Sequence, residues 1–153
     1  MFDVCGVIVE NECGEFLLVK GAPGQDNAGE WTFPGGRLDN GDNSPQYRVQ
    51  QEAKQETGFD VKIGAKIGSY DIIDETLLAK KYVRHDFEGK LIGGKRNWPN
   101  REIESGGWFT RDEILSGLAD NQVAPFTKQA LRDYFTKQGK SLFRIQYQHA
   151  AAI

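Results

Sequence analysis

The first third of the chain alternates between apolar and polar positions in a way that predicts extended strands. Residues 2–10 and 16–20 are apolar or alternating runs, and a polar stretch with a turn glycine separates them. This pattern indicates a strand, a tight turn and a second strand, and therefore a hairpin at the start of the fold. A Gly-rich loop over residues 21–29 then leads to a short extended segment at 31–33, which Pro34 keeps out of the helical region.

One segment carries the start and stop signals of a helix. Ser44 followed by Pro45 supplies an N-cap and a proline at the first helical position, and Gly58 supplies a C-terminal stop. The sequence therefore predicts a helix over residues 45–57.

The stretch after this helix again has strand character. Residues 61–73 and 77–87 alternate loosely and are rich in Ile, Val and Tyr, which predicts two strands in an antiparallel pair. Residues 88–107 contain Gly, Pro and Asn with little periodicity, which predicts a loop. Loops of this length inside compact domains are often functional.

The last part of the chain predicts a short strand and two helix signals. The strand is at 107–109, a capping-box pattern at 110–113 starts one helix, and an apolar stripe predicts another over 125–137. The order of strands, helix, strands and helices predicts one α+β domain over residues 1–153, an α/β/α sandwich with a mixed β-sheet between helices.

Composition narrows the classes of function. A chain of 153 residues is long enough to form one hydrophobic core without disulfides or structural metals. Its net charge of -3 provides no positive electrostatic potential that would attract duplex nucleic acid. The N-terminus lacks the basic segment of a signal peptide, and no apolar run is long enough to span a membrane. Cys5 and Cys13 lack a disulfide or metal-binding pattern. These features favour a cytoplasmic protein without a membrane or duplex partner.

Two carboxylates on the predicted helix carry the candidate chemistry. Each residue turns a helix by about 100°, so Glu52 and Glu56 border the apolar stripe formed by Val49 and Ala53. Carboxylates near a packing surface need a cation, since burial of an unpaired charge is costly. The alternative is an ordinary surface ion pair between Glu52 and Arg48, four residues earlier, and the spacing alone favours that interpretation.

The surroundings of these acids resemble the Nudix box, whose pattern is Gly, five residues, Glu, seven residues, and Arg-Glu-apolar-x-Glu-Glu-x-Gly-apolar. The segment Trp-Thr-Phe-Pro-Gly at 31–35 is similar to the family's approach to the box. The matching positions are Gly36, Glu52, Ala53, Glu56, Gly58 and Phe59. The resemblance implies the Nudix fold.

The sequence departs from the box at four points. Asp42 stands at the first glutamate, Gln51 at the arginine and Gln55 at the middle glutamate, and one extra residue lies between Asp42 and Gln51. In the family the arginine orients a catalytic glutamate and the middle glutamate helps to hold a metal ion. Arg48, one turn before Glu52, is a candidate substitute for the missing cation.

The resemblance implies a metal-dependent hydrolase. The expected ion is Mg²⁺, with Mn²⁺ as an alternative, and its expected ligands are Glu52, Glu56 and the carbonyl of Gly36. Glu52 is expected to act as a ligand or as a base. The expected reaction cleaves a phosphate anhydride in a nucleoside diphosphate linked to a moiety X, a class that includes NDP-sugars, ADP-ribose, dinucleotides and NTPs.

Further site residues are expected on loops and strands. Relatives often supply another carboxylate from a distal loop; Glu102 or Glu104 resembles it, and Glu104 is assigned to catalysis, with a solvated loop acid as the alternative. Arg37 is a candidate phosphate ligand or an exposed salt bridge. Trp31 and Phe33 are candidates to contact the substrate, although strand aromatics are more often core residues.

A second function class remains open at this point. Because Gln51 and Gln55 replace charged residues of the box, the chain is alternatively a catalytically weak module that binds a nucleotide or an ADP-ribose-like ligand as a sensor or interaction domain. In both cases the partner is a small, nucleotide-like molecule. A monomer and a homodimer are both compatible with the sequence.

Overall fold

A computed structural model of the chain describes residues 2–25, 27–38, 44–74, 80–118 and 122–137. Asp42, which stands at the first glutamate of the box, lies outside these residues. In chain order the described elements are β1 (Phe2–Val9), β2 (Glu15–Gly21), β3 (Trp31–Thr32), β4 (Gly35–Leu38), α1 (Pro45–Thr57), β5 (Phe59–Asp74), β6 (Lys80–Gly94), β7 (Ile103–Thr110), α2 (Arg111–Leu115) and α3 (Pro125–Lys137).

The strands form two sheets. The larger sheet has the order β4-β1-β6-β5, and it is mixed because β1 runs parallel to β6 while the other pairs are antiparallel. The smaller sheet has the order β3-β2-β7 and is antiparallel. The predicted mixed sheet is therefore present, and the antiparallel pairing of β5 with β6 is confirmed.

The predicted opening hairpin is wrong. Among the described residues, β1 and β2 approach each other through a bridge between Glu10 and Phe16 and a hydrogen bond from the Asn11 amide to the Glu15 carbonyl (2.9 Å). The strands then enter different sheets, since β4 and β6 occupy the two edges of β1 while β3 and β7 occupy those of β2. Proximity along the chain was outweighed by these long-range partners.

The predicted loop over 88–107 is also largely wrong. Strand β6 continues to Gly94, which pairs with Phe59 at the start of β5, and β7 begins at Ile103. Cross-strand hydrogen bonds to β5 thus hold a glycine-containing stretch that has low intrinsic strand propensity. Residues 95–102 remain as the loop, and they lie next to the end of α1.

Helices cover both sides of the sheets, which confirms the α+β sandwich. Val7 of β1 lies in a buried cluster with Val49 of α1, whereas its neighbour Ile8 lies in a second buried cluster with Leu131 of α3. Successive side chains of a strand point to opposite faces, so each strand contributes to both clusters. Burial on both faces fixes the register of β1 strongly.

The ends of α1 follow the sequence signals. The Ser44 hydroxyl accepts a hydrogen bond from the Tyr47 amide (3.0 Å), and Gly58 ends the helix in the left-handed conformation with φ 83°. A side chain at position 58 would be strained there. No helix in the described ranges has the length and apolar character needed to cross a membrane.

Candidate active site

Helix α1 buries Glu52 and Glu56 against the glycine pair that begins β4. Each glutamate is 6% exposed, and the Gly35 amide donates a hydrogen bond to Glu56 Oε1 (2.9 Å). A Cβ atom on Gly36 would lie 2.6 Å from Glu52 Cδ, so the carboxylate fits there because the residue is glycine. The two acids that border the apolar stripe are therefore drawn into the fold.

Arg48 ties Glu52 to the edge strand β4. Its Nη2 atom lies 2.8 Å from Glu52 Oε1, and its Nε atom donates a hydrogen bond to the Arg37 carbonyl (3.1 Å). The predicted pair between Arg48 and Glu52 is present. It is partly buried, unlike an ordinary surface pair, and it fixes one carboxylate oxygen in position.

A third carboxylate, that of Glu102, joins the two on α1. Single oxygen atoms of Glu52, Glu56 and Glu102 all lie within 4.8 Å of one another. The side chain of Asn100 positions this loop: its Oδ1 atom accepts from the Glu102 and Ile103 amides (3.0 Å each), and its Nδ2 atom donates to the Glu56 carbonyl (3.0 Å). One asparagine thus links the loop to the end of α1.

The structure does not place Glu104 in this cluster. Glu104 is exposed, and its Oε2 atom lies 3.6 Å from Lys20 Nζ. The β2–β7 register shifts here, since Lys20 pairs with Ser105 and Gly21 pairs with Ile103, which leaves Glu104 without a partner position on β2. The shift separates the two acids, and of the two loop acids that the sequence offers, Glu102 is the one that lies with the carboxylates of α1. The catalytic role of either acid stays a prediction.

Burial raises the pKa of Glu56 to about 8. The hydrogen bond from Gly35 and the positive charge of Arg84 oppose this shift, whereas the negative charges of Glu52 and Glu102 add to it. Among the described residues no basic side chain pairs with Glu56, although Arg48 pairs with Glu52. Three clustered acids, one of them buried without a cationic partner, fit a divalent cation with oxygen ligands.

This arrangement makes the stability of the metal-free protein depend on pH. Unfolded Glu56 ionises near its ordinary pKa of 4.5, while the folded protein keeps the proton up to about pH 8. The folded state therefore holds one more proton in this window, and the free energy of unfolding falls by about 1.4 kcal/mol per pH unit as the pH rises.

We expect thermal denaturation in EDTA to show this decline between pH 5 and 8, on the order of a few kcal/mol in total. Saturating Mg²⁺ should remove it, because cation binding favours the ionised carboxylate. In EDTA, the free energy of unfolding of the Glu56→Gln variant should lack the part of this decline that comes from Glu56. A wild-type slope equal to that of the variant would contradict the assignment.

A cleft of about 270 Å³ adjoins the carboxylates. Arg37 lies exposed at its border, and the buried Phe33 contributes to its wall. Trp31 is instead a core residue whose ring packs edge-on against Phe109, with 5.2 Å between centroids, and it is not part of the cleft lining. The aromatic residues that do line the cleft with Phe33 are Tyr82 and Phe126.

The sequence reasoning missed a buried arginine in this cleft. Arg84 is 5% exposed, and its Nε atom lies 3.1 Å from Oδ1 of the buried Asp86. Its Nη2 atom donates to the Phe33 carbonyl (3.2 Å), and its guanidinium lies 4.7 Å from the centre of the Phe126 ring. The usable signal is an Arg and an Asp two positions apart on a strand, since such residues share one face.

The two glutamines of the box lie away from the cleft. Both side chains are exposed, and Gln51 Nε2 donates to the Tyr47 hydroxyl (3.2 Å). The Gln55 carbonyl accepts from Asn97 Nδ2 (3.3 Å) in the loop before Glu102. The Gly36 carbonyl accepts from Cys5 Sγ (3.4 Å), so its role as a metal ligand stays a prediction.

Known proteins are similar to this chain in sequence and fold. The sequence model of the NUDIX domain matches residues 2–134. A putative 8-oxo-dGTP diphosphatase of Bacillus subtilis (strain 168) is 36% identical over 131 residues, which is 84% of this chain and 76% of the relative. A CTP pyrophosphohydrolase of Escherichia coli (strain K12) is 30% identical over 93 residues, which is 60% of this chain and 67% of the relative.

Among solved structures, that of a UDP-X diphosphatase is similar with a TM-score of 0.70 and 26% identity. The match covers 92% of this chain and 64% of that protein, so the chain spans less than two thirds of it.

The chain is an α+β protein in which two acids of one helix pack against a glycine pair beside a cleft. These features agree with the class of hydrolases to which its relatives belong. Because the family model matches residues 2–134, the chain belongs to the Nudix family. Its class is that of the Nudix pyrophosphohydrolases.

Proposed function

We propose that this protein hydrolyses a phosphate anhydride in a nucleoside diphosphate linked to a moiety X, with Mg²⁺ or Mn²⁺ held by Glu52, Glu56 and Glu102. The observation that carries the proposal is the convergence of these three carboxylates within 4.8 Å at one end of a cleft. When bound, the cation would neutralise phosphate charge and lower the pKa of a water molecule.

The protein's own residues divide the remaining work. Gly35 orients the Glu56 carboxylate through its amide, and Arg48 holds Oε1 of Glu52. Glu52 is proposed to act as a ligand or as a base. Asn100 carries Glu102 to the pair. Arg37, at the exposed border of the cleft, is proposed to contact a phosphate group.

The cleft and the similar proteins support this substrate class. Three relatives act, by their names, on 8-oxo-dGTP, CTP and UDP-X, which share a nucleoside attached to an anhydride and differ in base and leaving group. The aromatic residues Tyr82 and Phe126 line the cleft beside the carboxylates, which suits a base next to a polyphosphate. The products expected are NMP and X-phosphate.

A substrate panel tests the proposal. Purified protein with Mg²⁺ or Mn²⁺ is incubated with NTPs, NDP-sugars, ADP-ribose and dinucleotides, and the products are identified by ion-exchange chromatography and mass spectrometry. Cleavage of at least one compound to NMP, blocked by EDTA, is expected. Complete recovery of every compound under both metals would overturn the proposal.

One observation supports a second candidate, a binding module with weak catalysis. The side chain of Gln55 is neutral and exposed, so the described site contains three acids and lacks the charge of the family's middle glutamate. A ligand that binds tightly in calorimetry and is recovered intact after prolonged incubation with Mg²⁺ would favour this candidate. Turnover of that ligand would exclude it.

Arg48 is expected to be a positioning residue for the reaction. Arg48→Gln removes the 2.8 Å contact to Glu52 and should lower kcat by roughly tenfold to a hundredfold, as loss of an outer partner of a metal ligand does. Mg²⁺ affinity, measured by calorimetry, should fall in parallel. Arg48→Lys should restore part of both.

Gln51→Arg is the matched comparison for this prediction. Gln51 is exposed, and Arg48 already forms an ion pair with Glu52. We therefore expect the substitution, which restores the arginine of the box, to change kcat by less than about threefold. A large gain from Gln51→Arg, with no loss from Arg48→Gln, would contradict the role given to Arg48.

A further inference from the structure

Arg84 has hydrogen-bond donors that the protein does not use. A guanidinium has five N–H groups; in Arg84, Nε donates to Asp86 and Nη2 donates once, to the Phe33 carbonyl. Within the described ranges, the other N–H groups have no acceptor. The residue is 5% exposed and lines the cleft. The remaining donors are not among the buried side-chain atoms that lack a partner in the described ranges, so they open on the cleft and are available to a ligand.

The surroundings hold the guanidinium in one orientation. Asp86 and the Phe33 carbonyl fix one edge, and the ring of Phe126 lies over the group at 4.7 Å. Any Cβ atom at Gly6 would overlap Arg84 Nη2, so β1 has no side chain where the guanidinium lies. Such fixation lowers the entropy lost on binding and favours recognition of a defined pattern of acceptors.

The pairing of Arg84 with Asp86 and the aromatic ring over its guanidinium suit a nucleobase better than the reacting phosphate. Glu56 contacts Gly35 on β4, and β1 separates β4 from β6, which carries Arg84. The guanidinium itself extends from β6 across β1, where Nη2 lies beside Gly6, and Gly6 pairs with Gly35. About one strand spacing, ~5 Å, therefore separates it from β4. Asp86 also neutralises the arginine, which reduces its attraction for an anion and leaves its directional N–H groups.

We propose that Arg84 selects the nucleobase by donating to an edge that carries two adjacent acceptors. Cytosine (N3 and O2) and guanine (N7 and O6) present such an edge. In adenine the amino group lies beside N1 and N7, and N3 stands alone; in uracil N3–H separates the two carbonyls, and 8-oxoguanine carries a hydrogen on N7. The inference rests on the proposed function, since it assigns the substrate of the same site, and it makes cytidine or guanosine nucleotides the preferred class.

Binding of nucleoside monophosphates tests the inference without turnover. We expect calorimetry with Mg²⁺ to show that CMP or GMP binds the wild-type protein roughly ten- to a hundredfold more tightly than AMP and UMP, the usual effect of a bidentate contact. The 3-deaza analogue of CMP or the 7-deaza analogue of GMP, which lacks one acceptor, should lose most of this preference. Equal affinities for the four nucleotides, or no binding, would overturn the inference.

Protein variants locate the preference at Arg84. Arg84→Lys keeps the charge beside Asp86 but removes the planar donor pair, so it should reduce the preference to less than about threefold. Arg96→Lys is the control, because Arg96 also stacks on an aromatic ring, that of Trp98 at 5.2 Å, and does not line the cleft. If Arg84→Lys does not fold by circular dichroism, the deaza analogues decide the result with the wild-type protein.

The two proposals fail in distinguishable ways. If the substrate panel shows no cleavage while CMP or GMP is preferred through Arg84, the proposed hydrolysis is wrong and the base-recognition site stands. If cleavage occurs with equal kcat/KM for all bases, the hydrolysis stands and the inference is wrong.

Discussion

Replacement of Glu56 by glutamine is expected to lower kcat for Mg²⁺-dependent hydrolysis by at least about a hundredfold. The substitution keeps an oxygen that can accept from the Gly35 amide, so α1 and β4 stay joined, while the negative charge that faces the cation is lost. The measurement is initial-rate kinetics on the best substrate of the panel over a range of Mg²⁺ concentrations.

Glu12→Gln is the control for this prediction. Glu12 is exposed in the turn between β1 and β2, and its neutralisation should leave kcat within about twofold. The Glu56→Gln protein should be at least as stable as the wild type in EDTA, since it lacks the buried acid. Undiminished hydrolysis by Glu56→Gln would remove this residue from the metal site.

The second large effect is expected at Glu102. Glu102→Gln should weaken Mg²⁺ binding and lower kcat/KM by roughly ten- to a hundredfold, because one of three clustered carboxylates loses its charge. Calorimetric titration with Mg²⁺ separates this effect from a change in substrate binding. The matched variant Glu104→Gln removes an acid two residues away that contacts Lys20 instead.

The comparison between these two variants decides which loop acid belongs to the site. Glu104→Gln should leave both Mg²⁺ affinity and kcat/KM within about twofold of the wild type, the usual range for an exposed ion pair. If the loss appears in Glu104→Gln and not in Glu102→Gln, the original assignment of Glu104 is correct and the described cluster is not the functional one.

The part of the site on α1 was predictable because its determinants are local. Ser44, Pro45 and Gly58 fix the helix ends through capping geometry, and the helical repeat then places Glu52 and Glu56 beside the apolar stripe. These signals depend on residues within one helix. Their agreement with the Nudix-like glycine pair identified the family before any tertiary contact was known.

The remaining features depend on contacts between distant segments. The choice between Glu102 and Glu104 depends on a register shift against β2 and on the side chain of Asn100, neither of which has a local pattern. The separation of β1 from β2 likewise depends on strands far along the chain. Arg84 was missed because, except for Asp86, the residues around its guanidinium come from distant segments. They lie on β1, in the segment after β3 and on α3.

The position of β1 between β4 and β6 has a consequence for how substrate range changes within this architecture. Hydrogen bonds on both edges of β1 fix the spacing between β4, which adjoins the carboxylates, and β6, which carries Arg84. With the proposed role of Arg84, exchange of side chains on β6 would change the selectivity for the base without moving the carboxylates next to β4.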